Sequence, residues 1–505
     1  MINIAKGNKQ MKSGEILAFI IYFIVMMAIG VFFFIKSKGK GDKDFFLGGR
    51  TISPFVAALS TGASDMSSWV LMGLPGSILL LGMGQVWIAI GLAIGTILSW
   101  VLIAKRLRNF SIVANDSITL PQYLTNRFKS KSLALQIVCA IVFIFVYTIY
   151  AASSIKACGI LFNTVFGMDQ KVAMLVAAAI TIIYTFLGGF SADCWSDVVQ
   201  GLIMLAALLI TPILALFALK NPEISGSLVK TELPDHYWSF LSSGNLDWKS
   251  ISDIISGLGW GIGYFAVPHI IVRYMSVKSS KEVKKSAIIG SSWTCLILIS
   301  AVGVGLVGRV LLPELNADTS ELVFIKMVRF LFSDFTSGIL LSAILAASMS
   351  SADSQLLVSA SALVSDVYKP VFRKNASEKE LSWLSRGVVL LIAIAATIIA
   401  FNPASGSIMS LVENAWGVFG AAFGPVIILS LFWKRFTYGG AVAGIIAGAV
   451  SDILWLAFIK SYTGIYEIVP GFIVGMAAAI VVTLAGKKPS AEVEKLFDEA
   501  VSFDG

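Results

Sequence analysis

The sequence predicts an all-α membrane protein that crosses the bilayer about thirteen times. Of its 505 residues, 57% are hydrophobic and 13% are charged, whereas an ordinary soluble chain has about 45–50% apolar and about 25% charged residues. The apolar runs are continuous for roughly 20 residues, the length that crosses a hydrocarbon core as a helix. Because the strands of a membrane barrel alternate apolar and polar residues, these runs exclude an outer-membrane barrel.

The apolar runs follow one another with only short polar connections, so we expect no soluble domain. The first run is too long for a signal-peptide core and lacks a small-residue cleavage site, so it should remain as a helix. The predicted spans are residues 15–36, 55–80, 84–104, 133–162, 170–187, 195–219, 251–272, 285–311, 333–364, 384–401, 407–433, 438–459 and 467–486.

Basic residues are concentrated in alternate connections, which accounts for the net charge of +8 without a nucleic-acid partner. Because Lys and Arg accumulate on the cytoplasmic side of membrane proteins, we expect the N-terminus outside and the C-terminus inside. The clusters that decide this orientation are Lys36/Lys38/Lys40/Lys43, Lys105/Arg106/Arg108, Arg127/Lys129/Lys131, Lys281/Lys284/Lys285 and Arg373/Lys374.

The second and seventh spans contain glycine and proline where an uninterrupted helix favours neither. The second carries Gly62-Ala-Ser-Asp-Met-Ser-Ser-Trp69 and then Gly73-Leu-Pro-Gly76, and the seventh carries Gly257-Leu-Gly-Trp-Gly-Ile-Gly263 and then Pro268. Two broken spans five apart are typical of a transporter with inverted repeats and a binding site at the breaks. We therefore divide the chain into an extra helix and loop (1–50), a first repeat (51–220), a second repeat (221–435) and two further helices with a tail (436–505).

Asp65 is an acidic residue inside an apolar run, beside the first break. It could cap the N-terminus of a half-helix or coordinate a cation, and we favour the cation because ionisable residues within membrane spans are usually functional. A sodium ion needs several hard oxygen ligands, which unwound backbone carbonyls and hydroxyls can supply.

Hydroxyl groups are concentrated in the ninth span, in the string Ala346-Ala-Ser-Met-Ser-Ser-Ala-Asp-Ser-Gln355. A single serine in a helix often only bonds back to the backbone. So dense a polar cluster in an apolar span nevertheless favours a site, and Ser350 and Ser354 share one helical face.

Aromatic residues near the breaks could wall a small-ligand pocket, although most membrane aromatics pack or lie at the interface. Those chosen by position are Trp69, Tyr150, Trp260 and Tyr264.

The motifs of an enzyme are not evident. The two histidines, His236 and His269, belong to neither an HExxH string nor a Cys/His cluster, so we expect no transition metal. No GxSxG or Walker A string occurs, and we expect no organic cofactor. A membrane sensor or channel on the same scaffold is the alternative from another class, although a channel usually shows a repeated filter loop or a charged ring.

Longer motifs resemble those of the sodium:solute symporter family, from about residue 15 to about residue 490. The resemblance implies a leucine-transporter-like core of two inverted five-helix repeats, preceded by an extra helix, in a bacterial inner membrane. It also implies sodium-coupled import by alternating access, with L-proline as the expected substrate and no obligate protein partner. The motifs are Phe46-Leu-Gly-Gly-Arg50, Gly62 to Trp69, Met72-Gly-Leu-Pro-Gly76, Thr119-Leu-Pro121 with Tyr123, Gly188-Gly189 with Trp195-Ser-Asp197, Gly259-Trp-Gly261, Tyr264 to His269 and Phe419-Gly-Ala-Ala-Phe-Gly424.

The resemblance also implies three sets of site residues. The sodium ligands would be the carbonyls of Ala63, Met66 and Ala347 and the hydroxyls of Ser350 and Ser351, with Asp65 acting in sodium binding and coupling. Substrate contacts would come from Ser67, Trp69, Tyr150, Trp260, Tyr264 and Pro268. Some members have a second sodium site between the sixth and ninth spans, whose positions match Asp197, Asp353 and Ser354.

Two departures from the family pattern affect the expected substrate specificity and leave the expected sodium ligands unchanged. Val267 stands where the family's proline carriers commonly have Gln, which removes an amide from the expected pocket wall. Glu413-Asn414 replaces an uncharged pair in the eleventh span. Another small amino acid or a monocarboxylate is therefore the alternative substrate.

Overall fold

The computed structural model describes residues 12–37, 47–187, 190–222 and 233–503. Lys38, Lys40 and Lys43 of the first basic cluster, Phe46, and the Gly188-Gly189 pair lie outside these residues. The described residues are helical throughout their ordered elements, and the only β pairing among them is an isolated bridge between Ile52 and Val277. The predicted all-α class is confirmed.

The helices follow the predicted spans closely, and the two breaks fall where glycine and proline predict them. In the first half of the chain they are α1 (Ser13–Ser37), α2 (Pro54–Asp65), α3 (Leu74–Leu81), α4 (Val86–Leu98), α5 (Lys105–Val113), α6 (Leu120–Arg127), α7 (Ala134–Phe166), α8 (Gln170–Leu187) and α9 (Phe190–Leu219). In the second half they are α10 (Trp248–Gly259), α11 (Pro268–Ser276), α12 (Ser280–Leu311), α13 (Val323–Leu331), α14 (Asp334–Leu363), α15 (Glu378–Phe401), α16 (Ile408–Phe432), α17 (Tyr438–Phe458), α18 (Ile468–Ala485) and α19 (Ala491–Ser502).

The number of crossings differs with the criterion that is applied. Among the described residues, ten helical runs are long and apolar enough to cross a membrane, and the bent pair α10 and α11 would make eleven. One of these runs, Trp69–Val113, contains both the end of the second predicted span and the whole third span. The fifth span is short, with an apolar part over Gln170–Ile183. The count of thirteen stays a prediction.

The helices begin at residues that satisfy their free backbone N–H groups. Ser53 precedes Pro54 and accepts from the N–H of Val56, and Thr119 accepts from the N–H of Gln122. A hydroxyl at the N-cap followed by proline in the first turn favours a helix start at that point.

The connections between helices lie on two faces, which we call the first face, where α1 begins, and the second face, where α1 ends. On the first face, Lys12 pairs with Asp334 at 2.9 Å, and the indole of Trp248 donates to the carbonyl of Thr463. On the second face, Arg108 donates to the carbonyl of Val277 at 2.7 Å. Connections therefore alternate between the faces, as they do in a chain that crosses a bilayer repeatedly.

Each broken span loses regular α-helical geometry partway along its length. α2 ends at Asp65, and the chain continues through Met66–Ser68 into a wide helical turn that leads to α3. α10 continues as a tight helical turn, Trp260–Phe265, and α11 departs from it at 44°. Gly95 lets α4 approach this second break, since a Cβ there would lie 2.3 Å from the carbonyl oxygen of Gly261. Gly95 therefore belongs to a close-contact face, as expected for small residues in membrane helices.

Candidate functional site

The first break surrounds Asp65, the last residue of α2, whose side chain is buried. The phenol of Tyr264 donates to Asp65 Oδ2, while Asp65 Oδ1 has no hydrogen-bond partner. The backbone carbonyl of Asp65 accepts from Trp69 Nε1 at 3.3 Å and from the Tyr150 hydroxyl at 3.4 Å. Asp65 thus ends one half-helix and contacts the second broken span, rather than capping the half-helix that follows.

The ninth predicted span, α14, meets this break through its serines. The Ser350 hydroxyl lies 2.8 Å from the carbonyl oxygen of Ala63 and 3.2 Å from that of Ala347. The Ser351 hydroxyl is fully buried and has no hydrogen-bond partner. Met66 is the C-cap residue of α2, directly after Asp65. Uncharged oxygen atoms from two helices therefore meet near the end of α2, and carbonyl and hydroxyl oxygens of this kind can bind a hard monovalent cation.

The aromatic residues chosen from sequence lie together around Asp65. The rings of Trp69 and Trp260 are 6.1 Å apart, and Tyr264 lies on the same broken span as Trp260. Ser67 is fully buried in the first break, and its hydroxyl has no partner. Pro268 is the first residue of α11, so its ring also has the structural role of starting that half-helix.

Trp416 on α16 belongs to the same group, although no sequence pattern pointed to it. Its ring lies 5.4 Å from that of Tyr264 and 6.5 Å from that of Trp260. Trp416 Nε1 also donates to the carbonyl of Trp260 at 2.8 Å, which satisfies a backbone group freed near the second break. Because α16 has no break of its own, nothing in its pattern distinguishes this tryptophan from a packing residue.

Two of the three positions matched to a second sodium site, Asp197 and Ser354, contact an arginine. Arg273 Nη2 lies 2.9 Å from Asp197 Oδ2, 2.7 Å from the Ser354 hydroxyl and 2.7 Å from Asp193 Oδ2. The Ser60 hydroxyl donates to Asp197 Oδ2 at 2.6 Å. Asp197 Oδ1 has no partner.

Sequence reasoning found part of this group and missed the rest. Asp353 is buried beside Ser354 on α14, as expected from their positions. Asp193 and Arg273 were missed. Both are charged residues inside membrane spans, which is itself a functional signal, and Asp193 lies one helical turn before Asp197.

Val267 and Glu413, the two departures from the family pattern, occupy different surroundings. Val267 is fully buried and is the N-cap residue of α11, where its side chain forms no cap. Glu413 pairs with Lys460 at 2.9 Å, near the first face.

Known proteins are similar to this chain over nearly its whole length. The profile of the sodium:solute symporter family matches residues 45–448. The chain is 43% identical to the sodium/proline symporter of Escherichia coli over 491 residues, which cover 96% of each protein. It is 41% identical to the osmoregulated proline transporter OpuE of Bacillus subtilis, over 94% of this chain and 96% of that one.

Two solved structures share the fold at low sequence identity. A sodium-coupled sialic acid symporter in its substrate-bound outward-open state has a TM-score of 0.78 at 20% identity, covering 95% of this chain and 99% of that one. A nucleobase-cation-symport-1 family transporter in a closed conformation has a TM-score of 0.55 at 13% identity, covering 90% of this chain and 98% of that one. The predicted leucine-transporter-like fold is confirmed.

Proposed function

The chain belongs to the sodium:solute symporter family, and on this premise we propose that it imports L-proline together with sodium by alternating access. Its family consists of transporters, so the protein moves a solute and is not an enzyme. Sodium is the co-transported ion, and its partners are this ion and a small-molecule substrate. It is a multi-spanning protein of the bacterial cytoplasmic (inner) membrane.

The contact between α2 and α14 at the first break carries the sodium part of the proposal. Ser350 approaches the carbonyl of Ala63 there, and Asp65 and Ser351 each keep a buried oxygen without a partner. A cation at this place would satisfy these oxygens and compensate the Asp65 carboxylate. The proposed ligands are the carbonyls of Ala63, Met66 and Ala347 and the hydroxyls of Ser350 and Ser351, with Asp65 supplying the charge.

The aromatic group beside this junction is the proposed substrate pocket. An imino acid has an apolar ring that stacks on indole and phenol faces, and charged ends that need polar partners. Tyr264 connects the pocket to sodium, because its hydroxyl is bonded to Asp65. The proposed substrate contacts are Ser67, Trp69, Tyr150, Trp260, Tyr264 and Pro268.

A second sodium bound by Asp197, Asp353 and Ser354 is the finer part of the proposal. Arg273 already neutralises part of this group, so a sodium ion there would have to share Asp197 with the guanidinium. The unpartnered Asp197 Oδ1 supports such sharing.

Coupling follows from a single conformational equilibrium. If sodium holds α2 against α14 and thereby assembles the pocket, it raises the affinity for the substrate. Linkage then requires the substrate to raise the affinity for sodium by the same factor. At 100 mV, inside negative, each imported sodium adds about 2.3 kcal/mol, or roughly 50-fold in accumulation, before any concentration gradient.

The basic clusters favour an orientation in which the first face is external and the second face is cytoplasmic. Lys105, Arg106 and Arg108 lie on the second face, as do Arg127 and Lys129. The proposed repeats are residues 51–220 and 221–435, because each begins with a broken span. Residues 1–50 and 436–505 then flank the core, with the N-terminus outside and the C-terminus inside.

Uptake of labelled L-proline into proteoliposomes tests the proposal, with an inward sodium gradient compared with an equal potassium gradient. We expect concentrative uptake with sodium alone, because a sensor or a channel cannot accumulate a solute against its gradient. If proline is not taken up but another small amino acid or a monocarboxylate is, the substrate assignment is wrong and the sodium coupling stands. In the same vesicles, a sodium-to-proline ratio of one with Asp197 and Asp353 intact would contradict the second sodium site.

A further inference from the structure

A separate charged cluster lies near the first face, between α16, α17 and α18, away from both proposed sodium sites. Lys460 Nζ lies 2.9 Å from Glu413 Oε1 and 2.9 Å from Glu467 Oε2. Tyr466 donates from its hydroxyl to the backbone carbonyl of Glu413 at 2.7 Å. Asp452, on α17, completes the group, which we call the outer cluster.

Asp452 is the unusual member of the outer cluster, because it is fully buried and neither of its carboxylate oxygens has a hydrogen-bond partner. Glu467 is also fully buried, and its Oε1 has no partner. The two side chains converge on Gly417, where a Cβ would lie 3.0 Å from Asp452 Oδ2 and 3.3 Å from Glu467 Cγ. Both side chains thus border one tight space that a side chain at position 417 would fill.

The charges of the outer cluster do not balance. Its three carboxylates face one ammonium group, which leaves two negative charges in excess if every acid is ionised. Buried charge without compensation is strongly unfavourable, so the site favours uptake of positive charge. A proton needs only one oxygen lone pair, and the unpartnered oxygens of Asp452 and Glu467 supply several.

We propose that Asp452 and Glu467 together form a proton-binding site that fills from the first face. The proton comes from external water and bonds to one carboxylate oxygen, so the pair carries a single negative charge when the site is occupied. Proton occupancy then determines whether Lys460 pairs more strongly with Glu413 or with the buried carboxyl pair. This inference rests on the proposed function for its effect on transport, but not for the binding of the proton.

The surroundings of the pair provide both an entrance for the proton and a partner for Lys460. A cavity of about 210 Å³ reaches Glu413, Lys460 and Tyr466 from the first face. Asp253 of α10 also lines this cavity, but it is already paired with Lys249 at 3.1 Å. Burial lowers the pKa of Lys460, but Glu413 and Glu467 more than offset this and raise the pKa above its ordinary value. Lys460 therefore stays cationic while the carboxyl pair titrates.

The outer cluster is linked to the proposed substrate pocket by aromatic contacts. The ring of Tyr466 lies 5.3 Å from that of Trp260, and Lys460 Nζ lies 5.5 Å from the centre of the Tyr466 ring. Trp416, on the same helix as Glu413, holds the carbonyl of Trp260. When the pair loses its proton, Lys460 is drawn away from Glu413, and α16 is held less firmly beside the pocket. We therefore expect proline affinity to fall as the external pH rises.

Proton binding can be measured without any transport. In purified protein, infrared spectroscopy should show a carboxylic acid C=O band that decreases as the pH rises and that is absent in Asp452→Asn. Asp253→Asn is the matched control, because Asp253 lines the same cavity with a paired carboxylate. A band unchanged in both Asp452→Asn and Glu467→Gln would overturn the proposal, whatever the substrate of the protein.

The effect on transport is read from the KM for proline in proteoliposomes at fixed internal pH. Between about pH 5.5 and about pH 8.5 outside, the wild-type KM should rise by about fivefold, the lower end of ordinary coupling. Asp452→Asn should hold KM near its low-pH value, and Asp253→Asn should behave as wild type. If saturating sodium abolishes the infrared band of the wild type, and Asp452→Asn binds one sodium fewer, the ligand is sodium and the proton site is wrong.

Discussion

Two buried carboxylate clusters in this chain contain one basic side chain each, and they are neutralised to different extents. In the inner cluster, in the half of the bundle next to the second face, Arg273 bonds to Asp193 and Asp197, and Ser60 and Ser354 add hydroxyl donors. In the outer cluster, Lys460 reaches Glu413 and Glu467, while Asp452 has no partner.

The difference follows from the chemistry of the two cations. A guanidinium has five N–H donors in a planar fork, so Arg273 can bond to two carboxylates and two hydroxyls at once. An ammonium is a compact charge with three donors, and Lys460 contacts two carboxylates, those of Glu413 and Glu467. A guanidinium bonded to two carboxylates is suited to holding helices together, whereas a buried carboxylate with neither oxygen bonded, such as Asp452, can exchange protons.

Removing the inner cation should have the largest effect. Arg273→Met leaves two buried aspartates without a counter-ion, and breaking a buried pair in this way costs about 3–5 kcal/mol. We expect a markedly lower melting temperature in detergent and little assembled protein in the membrane. Arg273→Lys should recover part of the loss, since it restores the charge but not the fork. An unchanged melting temperature for Arg273→Met would show that the inner cluster is not a structural tie.

Asp65 is a further buried carboxylate, and among the described residues it has a phenol partner but no basic one. Asp65→Asn removes the charge that we assign to sodium, so the sodium concentration for half-maximal uptake should rise by about 10- to 100-fold, or about 1.4–2.8 kcal/mol. Because the amide is similar in shape, folding should change little. Ser351→Ala should have a smaller effect in the same direction. Wild-type sodium dependence in Asp65→Asn would remove this residue from the site.

The two clusters and Asp65 also show what a single sequence can and cannot predict. Apolar runs of bilayer length and paired breaks predicted the helices and singled out Asp65, since both patterns are local, whereas the meeting of this break with Ser350 was implied only by the family resemblance. The pairing of Arg273 with Asp193 and Asp197 was not predictable, because it joins residues 80 and 76 positions apart through helix packing. Trp416 was missed for the same reason. Glu413 was noticed only as a departure, and its partner Lys460 became visible in the fold.

Removing the outer cation should have the smallest effect. Lys460→Met deletes an ammonium whose side chain is 28% exposed, so water already screens it, and we expect a loss of about 1 kcal/mol, well below that of Arg273→Met. Lys460→Arg keeps the charge and should stay close to wild type in chemical denaturation. The double variant Lys460→Met/Asp452→Asn sharpens the comparison.

If the excess of buried negative charge is what destabilises Lys460→Met, neutralising Asp452 should recover most of the lost stability, and a double-mutant cycle would give a coupling energy well outside error. Simple additivity would mean that Lys460 acts only through packing of its aliphatic stem. The outer cluster would then only stabilise helix packing, as we expect of the inner cluster. The two clusters would no longer differ in their ability to exchange protons. A clear coupling energy would instead show that Asp452 and Lys460 share one electrostatic environment, which is what the proton-binding site requires.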